Sequence, residues 1–254
     1  METFLEFAVI GFVAQVIDGA LGMGFGVISS SVLLAQGVPP PVVSTCVNAA
    51  KLPTGGVAAL SHWWHCNPDW VLVRRLCLYG ALGGMLGALV LTGLKGAWLG
   101  HLINLYLLAI GALIIRRALR GSAAATVAGR RPSAIGFAGG LIEGIGGSWG
   151  PIVTTGLVGS GVETRRAVGS SGFSEFVVSL AVFLSLALGF ATGFWGEGMR
   201  WHGLLAAVLG LVAGGVPAAF CGGWLARYAP KRPLTFAVGA LAMGTAIYRA
   251  VFAV

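Results

Sequence analysis

Long runs of apolar residues follow one another along the whole chain, with only short polar segments between them. Two of the clearest runs are 71–94 and 102–115. About 20 apolar residues in a helix, at ~1.5 Å each, cross the ~30 Å of hydrocarbon in a bilayer. We therefore predict an all-α membrane protein. The expected full-length helices are 42–62, 70–93, 98–119, 166–190, 202–225 and 234–251.

Two further apolar regions are interrupted by glycine-rich segments. In the first region, 4–17 and 26–37 flank the segment 18–25, and in the second region a similar segment covers 143–151. Pieces of roughly 12 to 14 residues form only ~20 Å of helix, which is too short to cross the hydrocarbon. Each pair of half-helices is therefore expected to form a re-entrant hairpin or a single broken span.

The two interrupted regions belong to an internal repeat. Segment 10–19 lines up with 135–144 at five of ten positions, and 26–38 lines up with 150–162 after a gap of one residue. In this alignment Asp18 corresponds to Glu143, and Lys51 corresponds to Glu175. The predicted organisation is therefore a first transmembrane repeat, a linker and a second transmembrane repeat, at 4–120, 121–132 and 133–252.

Basic residues favour the hairpin interpretation over continuous spans. With hairpins, twelve lysines and arginines lie on one side of the membrane and three on the other, and continuous spans separate them less well. The positive-inside rule then places the linker in the cytoplasm and both termini on the periplasmic side. The second repeat is expected to be inverted relative to the first, as in many secondary transporters.

Composition agrees with this class and argues against others. The chain is 57% hydrophobic and only 9% charged, whereas soluble domains carry about 25% charged residues. The net charge of +8 lies mostly at helix ends, so we expect no nucleic-acid partner. The four cysteines form no CxxC pair, and no HExxH, GxSxG or Walker A sequence occurs. We therefore expect no metal, no cofactor and no enzymatic activity.

Four ionisable residues fall inside the apolar regions: Asp18, Lys51, Glu143 and Glu175. Each costs about 2.5–3.5 kcal/mol at a helix centre, so each is expected to face a cavity or a partner. Lys51 is the predicted counter-charge for an anion, and the three acids are candidate proton carriers. Two alternatives stay open: a buried ion pair that only joins helices, and acids that cap the breaks by accepting backbone N–H bonds.

The glycine-rich breaks each precede a short helix, whose N-terminus presents unpaired N–H groups and a partial positive charge. Such termini bind anions, and serines, a threonine and an asparagine follow on the next helices. Hydrogen bonds between helices are the alternative use for these polar groups. The predicted substrate-binding residues are Gly22, Met23, Gly24, Phe25, Gly26, Ser44, Thr45, Asn48, Lys51, Gly147, Ser148, Trp149, Gly150, Ser170, Ser171 and Ser174.

The doubled pattern of apolar helix, acid, glycine-rich break and half-helix resembles the TauE/SafE family of sulfite exporters and 4-toluene sulfonate uptake permeases. The resemblance covers nearly the whole chain, with the glycine-rich signatures at 22–26 and 146–151. It implies a secondary transporter in a bacterial inner membrane. The implied substrate is sulfite, sulfoacetate or another organosulfonate, moved by alternating access without ATP.

The expected partners are the anion, the lipid bilayer and, as candidate coupling ions, protons. The alternatives are a permease for another small ion or metabolite, such as a cation held by the three carboxylates, and a membrane assembly factor without transport activity.

Overall fold

The structure is a computed structural model that describes residues 2–93, 97–120, 131–192, 201–228 and 230–252. The described residues form ten α-helices and no strand, which confirms the all-α prediction. The helices are α1 (Glu2–Leu21), α2 (Phe25–Ala35), α3 (Pro40–Trp64), α4 (Trp70–Gly93), α5 (Ala97–Arg120), α6 (Pro132–Gly146), α7 (Gly150–Gly159), α8 (Thr164–Ala191), α9 (Trp201–Tyr228) and α10 (Lys231–Phe252).

Five of the described helices, α1, α4, α5, α8 and α10, are long and apolar enough to cross a membrane. Their outward faces carry large apolar side chains, as on α4, where Leu78, Leu82 and Leu89 are exposed. In water such a surface would be unfavourable, whereas a bilayer solvates it. The chain is therefore a multi-pass membrane protein.

The first helix differs from the sequence-based expectation. The acid at position 18 was expected to end it, but α1 continues to Leu21 and has 20 residues, enough for ~30 Å. The prediction that this piece is too short to cross is therefore wrong. In the second half, α6 has 15 residues and α7 has 10, so those two helices are short as expected. The predicted linker falls almost entirely outside the described residues, since α6 begins at Pro132.

Helices of one half pack against helices of the other half. The first helix of each half lies along the fourth helix of the other, so that α1 packs on α9 and α6 packs on α4. Helix α3 packs on α8, and α5 packs on α10. Glycines permit these close approaches: a Cβ at Gly140 would overlap the backbone of Gly80. The inverted topology of the second repeat stays a prediction.

Candidate functional site

Both acids at the breaks accept hydrogen bonds from the backbone N–H groups that start the following helices. Asp18 Oδ1 lies 3.3 Å from the backbone N of Phe25, the first residue of α2. Glu143 Oε2 lies 2.8 Å from the backbone N of Trp149, the N-cap residue of α7. Each acid therefore reaches across its break to satisfy a helix N-terminus, as the capping alternative predicts.

The two breaks touch each other through glycines. A Cβ at Gly26 would overlap the carbonyl oxygen of Gly147, and a Cβ at Gly150 would lie 2.5 Å from the carbonyl oxygen of Gly22. Gly26 and Gly150 are corresponding residues of the repeat, and each faces the break of the other half. Gly22 and Gly147 both have positive φ, 66° and 72°, a backbone conformation that favours glycine. We call this contact between the two breaks the junction.

Two hydroxyl groups strengthen the junction. The Ser30 hydroxyl on α2 donates to the carbonyl oxygen of Gly146 at 2.6 Å. The Thr154 hydroxyl on α7 donates to the carbonyl oxygen of Gly22 at 3.0 Å. Ser30 and Thr154 correspond in the repeat, and each binds the other half. Ser30 binds the last residue of α6, and Thr154 binds the break that follows α1. These bonds satisfy carbonyls that a helix end leaves unpaired.

Lys51 lies at the junction with its ammonium group between the two breaks. Its Nζ is 2.7 Å from the carbonyl oxygen of Gly147, and a Cβ at Gly26 would lie 2.8 Å from the same Nζ. Nζ also contacts Glu143 at 2.8 and 3.1 Å and Glu175 at 2.7 Å. Lys51 is only 4% exposed, so its charge is balanced by neighbouring carboxylates rather than by water.

The two carboxylates on Lys51 are held very differently. Glu143 is fully buried and also accepts hydrogen bonds from the Ser179 hydroxyl, at 3.0 Å, and from the Trp149 backbone. Glu175 has Lys51 as its one hydrogen-bond partner among the described residues, and 17% of its side chain is exposed. Glu143 is therefore fixed in place, whereas Glu175 can leave Lys51 without breaking any other described bond.

The predicted polar face of α3 is turned towards backbone carbonyls. The Ser44 hydroxyl donates to the carbonyl oxygen of Gly144 at 2.9 Å, and the Thr45 hydroxyl donates to that of Pro41 at 2.8 Å. The Asn48 amide nitrogen donates to the Ser44 carbonyl at 2.8 Å, while its buried Oδ1 has no partner in the described structure. Asn48 therefore keeps one acceptor available beside the junction helices.

The predicted serines of α8 are also paired inside the protein. The Ser170 hydroxyl accepts from the backbone N–H of Asp69 at 2.8 Å, and the Ser174 hydroxyl donates to the Ser170 carbonyl at 2.7 Å. The hydroxyl of Ser171 accepts from the Trp149 indole nitrogen at 3.0 Å. The contacts of Ser170 and Ser171 join α8 to the segment before α4 and to the start of α7, as the interhelical alternative predicts. The contact of Ser174 lies within α8.

The remaining predicted residues line the breaks. Met23 and Phe25 are buried beside the first break, and Gly24 is the N-cap residue of α2. Ser148 in the second break is hydrogen-bonded to the Tyr106 hydroxyl of α5. The structure thus brings the predicted break residues and Lys51 together at the junction.

Several residues at the junction escaped the sequence analysis. Ser30, Thr154 and Ser179 bind break carbonyls or Glu143, and Tyr106 binds the second break. Ser30 and Thr154 had a usable signal, since both are polar residues at corresponding repeat positions. Tyr106 and Ser179 are isolated polar residues in apolar helices, a pattern that occurs wherever helices pack. Two further buried hydroxyls on α2, those of Ser29 and Ser31, have no partner in the described part of the chain.

A bundle of apolar helices around broken half-helices and a buried cluster of charges defines a multi-pass membrane transporter. The chain belongs to the family described as sulfite exporter TauE/SafE, whose model matches residues 7–249. This family confirms the resemblance deduced from the sequence.

The chain is also similar to a Bacillus subtilis (strain 168) protein described as "Probable membrane transporter protein YtnM". The two are 35% identical over 237 residues, which cover 89% of this chain and 76% of the relative. No solved structure matches the chain significantly. The family and this relative agree on membrane transport.

Proposed function

We propose that the protein is a secondary transporter that moves a small sulfur-containing anion across a bacterial inner membrane by alternating access. The anion is sulfite, sulfoacetate or another organosulfonate. The family description names sulfite, and the junction supplies a buried lysine next to two helix N-termini. These are the groups that physical chemistry favours for an anion inside a membrane protein.

The observation that best supports this proposal is that only one of the two carboxylates bound to Lys51 is also held by other groups. Glu143 is fixed by Ser179 and by the Trp149 backbone, whereas Glu175 has only Lys51. A sulfonate or sulfite oxygen resembles a carboxylate oxygen as a hydrogen-bond acceptor, so it can replace Glu175 on Lys51. The described arrangement is then the substrate-free state, in which Glu175 occupies the place of the anion.

Proton coupling follows from the same exchange. Once the anion replaces Glu175, the Glu175 carboxylate loses its counter-charge, and binding of a proton neutralises that carboxylate. The charged groups that face Glu175 are Lys51 on α3, Asp18 on α1 and Glu143 on α6. An anion entering a negative-inside cell meets about 2.3 kcal/mol per 100 mV, and a proton moving with it cancels this cost. Because Asp18 and Glu143 cap helices, Glu175 is the first candidate for the proton carrier.

Uptake into proteoliposomes tests the proposal. The purified protein is reconstituted, and the entry of labelled sulfite, sulfoacetate and 4-toluene sulfonate is measured against empty vesicles and against Lys51→Met. We expect saturable uptake of at least one of these anions by the unmodified protein and none by Lys51→Met. Absence of transport for all three anions, with the anion gradient directed inward and with it directed outward, would refute the proposed substrate class.

A small cation is the second candidate substrate, because three acids surround a single lysine. Asp18, Glu143 and Glu175 interact electrostatically with one another and with Lys51. When all four residues are ionised, the cluster carries a net negative charge. The same vesicles loaded with labelled sodium or potassium distinguish the two candidates. Cation flux without anion flux would favour the cation permease.

A further inference from the structure

Arg117 is a positive charge near the junction that the proposed site does not use. It lies on α5, three residues before that helix ends at Arg120. Its Nη1 donates to the hydroxyl of Thr155 on α7 at 2.8 Å and contacts the sulfur of Met23 at 3.4 Å. Arg117 therefore connects the half-helix of the second repeat to the break of the first.

Arg117 has no carboxylate partner in the described part of the chain. The cations that form salt bridges with carboxylates among the described residues are Lys51 and Arg166. The side chain of Arg117 is half-buried, and its two described contacts both use Nη1. A guanidinium has five N–H donors, so most of them are available to a ligand. A partly buried cation without a counter-charge is unfavourable, and an anion would relieve that cost.

Arg249, the buried arginine of α10, shows what a structural arginine looks like in this fold. It is 7% exposed, and it donates to the Asn104 side chain at 3.2 Å and to the Leu34 carbonyl at 2.9 Å. Leu34 lies in the last turn of α2, where unpaired carbonyls and the helix dipole favour a cation. Arg249 is thus fully explained by the end of a helix.

Arg117 lacks such an explanation. Its partner Thr155 lies inside α7, one turn before that helix ends at Gly159, and the contact is to the hydroxyl rather than to a helix-end carbonyl. The Thr155 hydroxyl accepts from Arg117 and retains its own proton as a donor. The pair therefore presents hydrogen-bond donors from two elements and no acceptor charge.

This pair adjoins the junction and makes no described contact with Lys51. Thr154, the neighbour of Thr155, donates to the Gly22 carbonyl at 3.0 Å. Met23 follows Gly22 in the chain, and a Cβ at Gly150 would lie 2.8 Å from its Cα. An anion on Arg117 would thus lie next to the two breaks, at the end of α5 that leads to the predicted cytoplasmic linker.

We propose that Arg117 and Thr155 form a second anion-binding position, which takes a sulfite or sulfonate on its way to or from Lys51. This inference rests on the proposed anion transport and adds a residue that determines affinity at the α5 end of the pathway. The planar guanidinium offers two parallel N–H groups to two oxygens of one sulfur centre, a geometry that an ammonium group cannot provide.

The test compares Arg117→Gln with Arg116→Gln in proteoliposomes of zwitterionic lipid. Arg116 is the exposed neighbour on the same helix, so its replacement removes the same charge outside the proposed position. Initial rates of labelled sulfite and 4-toluene sulfonate transport give KM and kcat. We expect Arg117→Gln to raise KM about tenfold or more through the loss of charged hydrogen bonds. Arg116→Gln should leave KM unchanged.

Two further variants test the inference independently, in case Arg117→Gln does not fold. Thr155→Val removes the hydroxyl at nearly constant volume and should raise KM several-fold, and Arg117→Lys keeps the charge and should recover only part of the affinity. The unfolding midpoint of each variant in detergent is measured alongside. If Arg117→Gln does not fold, an unchanged KM in Thr155→Val overturns the inference.

The outcomes separate this inference from the proposed function. Transport by the unmodified protein with an unchanged KM in Arg117→Gln overturns the second position alone. An equal rise of KM in Arg116→Gln does the same, because it reports surface charge. A rise of KM in Arg117→Gln that occurs only in vesicles with anionic lipid identifies a lipid-headgroup contact and also overturns it. Failure of the unmodified protein to transport any of these anions overturns both proposals.

Discussion

Lys51 and Glu175 occupy corresponding positions of the two repeats, and they form a salt bridge with each other, with Nζ and Oε1 2.7 Å apart. The opposite charges of the two halves therefore lie together, next to the contact between the two breaks.

Replacing Lys51 should destabilise the protein as well as stop transport. In Lys51→Met, Glu143 stays buried without its cation, and loss of one member of a buried pair costs about 3–5 kcal/mol. Adding Glu175→Gln to Lys51→Met should recover part of this loss, because it removes one uncompensated carboxylate. Unfolding by denaturing detergent compares Lys51→Met, Glu175→Gln and the double variant with the unmodified protein in a double-mutant cycle. Strictly additive effects would show that the two residues do not interact.

Glu175 should determine the proton dependence of transport. If the protein is an importer, an inward proton gradient should accelerate it, and Glu175→Gln should abolish the acceleration because glutamine binds no proton. Glu163→Gln, at the exposed start of α8, should keep the acceleration. Rates are measured with and without a pH gradient at a clamped membrane potential. A full gradient response in Glu175→Gln would assign the proton to Asp18 or Glu143 instead. A rate of the unmodified protein that does not depend on the gradient would leave a uniporter or an exporter.

The glycines of the junction should tolerate no side chain. Gly26→Ala places a methyl group against the Gly147 carbonyl and 2.8 Å from the Lys51 ammonium, so the two breaks must separate. We expect a large fall in the thermal unfolding midpoint and loss of transport. Gly244→Ala is the matched control, because a Cβ there meets nothing within 4 Å. Equal stability of the two variants would contradict the close contact of the breaks.

The topology prediction is tested by labelling cysteines. In a variant without native cysteines, Ala124→Cys in the linker should react with an impermeant thiol reagent only after the cells are opened, because the positive-inside rule places the linker in the cytoplasm. A cysteine added at the C-terminus should react in intact cells treated only to permeabilise the outer membrane. Labelling of position 124 in such cells would reverse the predicted orientation.

The sequence was sufficient to locate most helices. Helix α4 begins and ends where the apolar pattern predicts, and α5 differs from its prediction by one residue at each end. The apolar pattern also continues through Pro53 and Pro217, and the structure keeps α3 and α9 as single helices there. The end of α1 was misplaced because an acid followed by glycine usually ends an apolar helix. Asp18 instead remains helical and turns its side chain to Phe25.

The sequence predicts which residues belong to the candidate site, but it does not predict which of them bind one another. An ionisable residue in an apolar segment indicates that a partner exists, and the repeat indicates which residues correspond. Neither shows that Lys51 binds Glu143 and Glu175 at once, because that depends on how α3, α6 and α8 approach one another in space. The serines of α3 and α8 are equally compatible with a cavity and with helix contacts. The distances decide that most of them bind protein groups.

The exchange of partners between halves, with α1 on α9 and α6 on α4, has a consequence for biosynthesis. Helix α9 begins about 180 residues after α1 ends. At ~5–20 residues per second, a ribosome needs roughly 10–40 s to add them. During that interval α1 lacks its main packing surface. Lys51 lacks its carboxylates until Glu143 and Glu175 have been added, 92 and 124 residues after it. The insertion machinery or the lipid must shelter these groups until the last third of the chain arrives, so neither half can complete its folding alone.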